Sequence, residues 1–275
     1  MHDLSARYPV WFCDIWGVVH NGVTPFASTI DALIRHRRGG GAVILVTNSP
    51  RTSQGVERQL VGVGVDAESH DAVVTSGDVT RTLVMEHGGG KVFHLGPQRD
   101  LSIFDGLAIA RTELPAAHAV VCTGLFDDSS ESPDDYTSLL ADIKLRGLVM
   151  ICANPDKIVR IGARLLYCAG SLAEAYGALG GTVLMAGKPF RPIYELAQRE
   201  AARCRGAAIA LDQVLAIGDG PETDIRGAAD FGIDVLLVAD GITDASAGLA
   251  AVEREVREAV PHANIVRTMH QLAWT

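Results

Sequence analysis

The chain has 275 residues, 48% of them hydrophobic, and 24 basic against 33 acidic side chains leave a formal net charge of −9. That length supplies one large domain or two modest ones, with enough apolar material for a core that needs no disulfide or metal staple. The acidic balance excludes a general nucleic-acid binder, because no basic surplus exists to displace phosphate counterions, and no apolar run approaches the ~18 residues a membrane span needs.

The opening MHDLSARYPVWFCD carries an acid at Asp3 and no apolar leader core, so a cytoplasmic protein is expected. Short apolar runs at 10–13, 42–46, 72–75, 92–95, 119–122, 148–153, 182–185, 213–217 and 234–238 predict strands. They are brief and uniformly apolar, as parallel strands covered on both faces must be. Helix-period segments lie between them, among them 28–37, 52–61, 192–203 and 224–231. Alternation of this kind predicts a doubly wound parallel α/β sheet. Residues 96–118 and 123–137 are richer in loops, which points to an inserted second domain. The acids Asp127, Asp128, Glu131, Asp134 and Asp135 fit no ordered calcium loop; SPDD at 132–135 reads as a helix start with its cap, proline and early acids. Cys13, Cys122, Cys152, Cys168 and Cys204 are widely spaced and mostly embedded in apolar runs, so they read as reduced packing residues.

Open α/β sheets bind ligands beyond the carboxyl ends of their strands. The polar residues just past the predicted strands are Asp14, then Thr47 and Asn48, then Lys188, then Asp219 with Asp224 five residues on. Taken singly, each has an ordinary explanation as an Asx turn, a helix cap or a solvated loop lysine. Together, two or more carboxylates, a hydroxyl and an ammonium are what a Mg²⁺-assisted phosphoryl-transfer site requires. A dinucleotide-binding reading fails: the glycines of RGGGAVILV precede their strand, and AIGDGPETD lacks the third glycine.

DIWGVVHNG, VTNSPR, AGKPF and GDGPETDIRGA, in that order, resemble the four motifs of haloacid dehalogenase-like (HAD) hydrolases, subclass IIA, the NagD-like and nitrophenylphosphatase-like group. The resemblance spans essentially the whole chain. It implies an α/β fold with a doubly wound parallel-sheet HAD core at 1–80 and 181–275, and an inserted α/β cap domain at 81–180. It places the nucleophile on Asp14, the phosphate-binding hydroxyl on Thr47 with Asn48 beside it, and the motif lysine on Lys188. Mg²⁺ would be held by Asp14, the main-chain carbonyl of Trp16, Asp219 and Asp224. ANPD at 153–156 resembles a cap segment, making Asn154 and Asp156 substrate-side residues. The implied partner is a small phosphorylated metabolite, a sugar phosphate or nucleotide; caps of this subclass also support homodimers.

One position departs from the pattern. HAD phosphatases carry a second aspartate, the general acid and base, where this chain has Trp16. An indole N–H only donates, and losing a general acid–base group typically forfeits ~10²–10⁴-fold in rate. Three readings stay open: a slow or specialised phosphatase, with His20 the nearby titrating candidate; a HAD enzyme of different reaction type; or a phosphate-metabolite binder that no longer turns over.

Overall fold

The computed structural model describes residues 1–161, 164–241 and 248–275. In chain order the first strands are β1 Val10–Asp14, β2 Ala42–Thr47, β3 Ala72–Thr75, β4 Lys91–Leu95, β5 Ala110–Arg111, β6 Ala119–Cys122 and β7 Val149–Cys152. They are followed by β8 Ile158–Ile161, β9 Arg164–Tyr167, β10 Val183–Met185, β11 Val214–Gly218, β12 Asp234–Val238 and β13 Ile265–Met269. The helices between them follow from apolar spacing and terminal residues. Arg191–Arg205 has proline in its first turn, buries Ile193, Tyr194, Ala197 and Ala201 along one stripe, and stops at Gly206 in the left-handed conformation.

The chain divides into two compact units. The first comprises Met1–Thr47, Gln54–Val74 and Lys188–Thr275. Among the described residues its sheet has the order β13-β12-β11-β1-β2-β3, with β1 running parallel to both β2 and β11. β1 and β2 are buried at every position, because helices cover both faces of a parallel sheet. Trp11, Leu33, Val43, Leu45, Leu215, Ile217 and Leu236 belong to one apolar cluster of this unit.

The second unit comprises Asn48–Ser53 and Thr75–Gly187, so the helix Ser76–His87 and strand β10 belong to it. Its sheet, β10-β7-β6-β4-β5, is parallel in every pair, and β8 and β9 form a separate antiparallel hairpin. SPDD does start a helix: Ser132 and Asp135 form a reciprocal capping box, and Pro133 opens the turn ahead of Thr137–Leu145.

Two expectations need correcting. Cys204 is exposed, on the last turn of Arg191–Arg205, whereas the other four cysteines are buried as expected. The segment 224–231 is not one helix: a π-helical turn, Pro221–Ile225, precedes the α-helix Arg226–Phe231. Within that turn one Asp224 oxygen accepts from Lys188 Nζ and the other from the Gly220 N–H. No described helix is long and apolar enough to cross a membrane.

Candidate active site

In the first unit, β1 and β11 lie side by side, with Cys13 opposite Ile217. From β1 the chain proceeds to β2 and β3 on one side; from β11 it proceeds to β12 and β13 on the other. Connections that diverge in this way leave a crevice beyond the carboxyl ends of the two central strands. Asp14 is the last residue of β1, Asp219 the first after β11, and Thr47 the last of β2. Asp14, Thr47, Lys188, Asp219 and Asp224 are all buried.

Lys188 ties this group together. Its Nζ donates to Asp14 Oδ1 at 2.5 Å, to Asp224 Oδ1 at 2.8 Å and to the carbonyl of Val46, the strand partner of Asp14, at 3.2 Å. Burial opposes the ammonium charge, but the Asp14 and Asp224 carboxylates outweigh it and hold Lys188 well above the usual lysine range. The other oxygen of Asp224 accepts from the Gly220 N–H at 3.3 Å and the Thr223 hydroxyl at 3.2 Å. Burial, together with the like charge of Asp224, pushes Asp14 up to about 7 despite its bond to Lys188. Asp219 is pushed well above the carboxylate range by burial and by the charges of Asp14 and Asp224.

Asp219 is the exception in hydrogen bonding. Both its oxygens are buried and neither has a partner among the described residues. Unmet carboxylate oxygens in an interior are costly unless a cation completes them. The carboxylates of Asp14, Asp219 and Asp224 offer oxygens within 4.8 Å of one another, and one ammonium against three carboxylates leaves two negative charges to balance. A hard divalent cation with oxygen ligands fits that donor set and that charge. The backbone closes tightly around Asp219. Gly17 sits at φ +80, and a Cβ on Gly17 or Gly241 would overlap the Asp219 carboxylate. Gly17 lies within DIWGVVHNG, whereas the sequence signal for Gly241 is its place just past the end of β12.

The remaining candidate residues divide between the units. Asn48, Asn154 and Asp156 all belong to the second, where Asn48 Nδ2 donates to Asp156 Oδ1 at 2.8 Å and Asn154 Oδ1 accepts from the Asp156 N–H at 3.0 Å. The motif asparagine and the ANPD segment are thus joined directly. Trp16, in the first unit, is 37% exposed. His20 does not offer a titrating side chain to solvent. It is 1% exposed, its Nδ1 accepts from the Gly22 N–H at 2.9 Å, and burial pushes its pKa down. The expectation that it stands in for the missing acid is not supported by this placement.

The profile of a family described as haloacid dehalogenase-like hydrolase matches residues 11–110, and one described as HAD-hydrolase-like matches residues 185–266. A solved hydrolase of the haloacid dehalogenase-like family from Brucella suis 1330 is 48% identical, with 99% of this chain and 98% of that one covered at a TM-score of 0.88. The chain belongs to the haloacid dehalogenase-like hydrolases. NagD from Escherichia coli K-12 shares the fold over 98% of both chains, at 20% identity and a TM-score of 0.75, as the NagD-like resemblance implies. Glycerol phosphate phosphatase of Mycobacterium tuberculosis in complex with magnesium shares it over 98% of this chain and 77% of its own, at 24% identity and a TM-score of 0.73. No protein among curated sequences matches the chain. Within this HAD fold Asp14, Thr47 and Asp219 fall at strand ends of the first unit, and Lys188 opens that unit's last segment, three residues past the end of β10.

Proposed function

We propose that this protein is a Mg²⁺-dependent phosphatase that removes phosphate from a small phosphorylated metabolite, a sugar phosphate or a nucleotide, through an aspartyl-phosphate on Asp14. The observation that carries the reading is the buried Asp14 bonded to Lys188 beside the carboxylate of Asp219, which has no partner among the described residues. Membership of a hydrolase family and the fold shared with a magnesium-bound phosphatase support it. Asp14, Asp219 and the Trp16 carbonyl would hold the cation, with Asp224 ordering its waters. Bound there, Mg²⁺ supplies a Lewis acid for the phosphoryl oxygens and cancels the surplus carboxylate charge.

Lys188 holds one oxygen of Asp14, which fixes the carboxylate for in-line attack. The bond from the carboxylate oxygen to phosphorus forms as the ester P–O bond breaks, and the leaving oxygen carries the electron pair away. Lys188 and the Thr47 hydroxyl meet the charge on the equatorial phosphoryl oxygens. Water then cleaves the aspartyl-phosphate. Trp16 cannot take the proton from that water, so the second step is the slower one.

The test is phosphate release from a panel of phosphometabolites and an activated aryl phosphate, with Mg²⁺, alongside Asp14→Asn. Turnover lost in the variant and on chelation, with an acid-stable phosphoprotein trapped from wild type, is the expected result. Turnover retained by Asp14→Asn refutes it. The indole at position 16 favours one second reading, a phosphate-ligand binder. Silence across the panel from protein that still binds Mg²⁺ and phosphate would establish that reading instead.

A further inference from the structure

The first part of the loop after β1, residues 15–20, turns all its large side chains but one inward, and Val23 further on is exposed. Ile15, Val18, Val19 and His20 are each 2% exposed or less, whereas the indole between them, Trp16, is 37% exposed. A lone exposed apolar side chain is ordinary; an exposed ring held in place is less so. The His20 ring meets the indole edge-on, with centroids 5.3 Å apart and planes at 72°. Gly22, at φ +90, lies against its far edge, where a Cβ would come within 2.5 Å of Cη2. Three hydrogen bonds fix that support: Gly22 N–H to His20 Nδ1 at 2.9 Å, Gly17 N–H to the His20 carbonyl at 3.0 Å, and Thr24 N–H to Asn21 Oδ1 at 2.9 Å.

Trp16 stands two residues past Asp14, so their Cα atoms are within about 7 Å of each other. A leaving group attached to a phosphate at Asp14 would start within about one side-chain length of this solvent-facing indole. A flat ring gains most there, because offset or edge-to-face aromatic pairs add attraction beyond the area they bury, whereas a glycerol or other aliphatic group gains little. Contacts with His20 and Gly22 on two edges restrict the ring, which lowers the entropy cost of stacking.

We infer that Trp16 is a stacking surface that selects phosphorylated substrates whose leaving group carries a flat aromatic ring. The inference rests on the phosphatase reading for the position of the phosphate, and of the two substrate classes named there it selects the one with a base over the plain sugar phosphate. It also suits a loop whose one titratable side chain between residues 15 and 25, His20, is buried.

The test is calorimetric binding of phenylphosphonate and methylphosphonate, neither of which can be hydrolysed, to the whole protein in Mg²⁺ buffer. Wild type is expected to prefer the phenyl compound by about tenfold. Trp16→Leu should collapse that ratio to near one, and Trp16→Phe should keep part of it. A wild type without the preference, or Trp16→Leu with the ratio intact, overturns the inference. A second measurement covers loss of binding in the leucine variant: 4-nitrophenylphosphonate should quench wild-type indole emission, and a quench of the same size in Trp16→Phe refutes stacking at position 16. Turnover plays no part in these readings. An aromatic preference without phosphatase activity overturns the proposed function alone, whereas Asp14-dependent turnover with equal affinity for the two phosphonates overturns only the stacking surface.

Discussion

Lys188→Met replaces the one ammonium in the buried cluster with a side chain of similar length and no charge. In the native protein that ammonium bonds Asp14, Asp224 and the Val46 carbonyl. Without it, Asp14, Asp219 and Asp224 face one another with no protein cation among them. Removing one partner of a buried ion pair costs about 3–5 kcal/mol. At about 2–4 °C per kcal/mol for a chain of this size, the metal-free variant should melt roughly 6–20 °C below wild type at pH 8. The deficit should shrink by about half or more at pH 5, because a cluster that protonates no longer needs the ammonium, and Asp14 already takes up its proton at about 7 in the wild type. Calorimetric scans with chelator at the two pH values make the comparison, and saturating Mg²⁺ should recover part of the loss. An unchanged melting temperature at pH 8, or an equal deficit at both pH values, would refute the account of Lys188 as the cluster's charge compensator.

Gly17→Ala pushes a methyl group into the Asp219 carboxylate and strains a backbone at φ +80; Mg²⁺ affinity should fall about tenfold or more by calorimetry, with the circular dichroism spectrum retained. The folded-state pKa of Asp14, about 7, lies above its solution value of 3.8, so the metal-free protein should lose stability as pH rises between those two values. Mg²⁺ binding should accordingly release protons near neutral pH, seen as a dependence of binding heat on buffer ionisation; binding heats that are independent of buffer would contradict it. Trp16→Asp restores a group able to exchange protons, and single-turnover decay of the phosphoenzyme should accelerate by about tenfold or more, the lower end of what a positioned acid–base group gives.

The central strands of both parallel sheets were legible because burial on two faces leaves no polar alternation to confuse the signal, as in AVILV at 42–46 and AVVC at 119–122. What escaped detection was half-exposed. β8 and β9 pair as a separate hairpin on which Ile158, Leu165 and Tyr167 are exposed, and β13 carries Arg267 and Thr268, the Arg267 guanidinium bonding Asp3 near the opposite end of the sequence. The strand-end positions of Asp14, Thr47, Lys188, Asp219 and Asp224 could be read because the rule that places ligands beyond strand ends is local. Three features could not: His20 turning inward, Gly241 closing on Asp219, and Asp224 bonding Lys188. The last two depend on contacts between segments 22 and 36 residues apart, which no local pattern encodes.

The pairing of Val10 with Val214 separates the two halves of the acidic cluster by most of the length of the chain. On a ribosome adding about 5–20 residues per second, roughly 10–40 s pass between the emergence of β1 and that of its central neighbour. During that interval β1, buried throughout in the finished molecule, has an open edge on the side that β11 will occupy. The second unit, by contrast, is complete as soon as Gly187 has been made. Nascent chains stalled before residue 214 should therefore hold a folded second unit and an incomplete first one whose β1 edge is open to pairing.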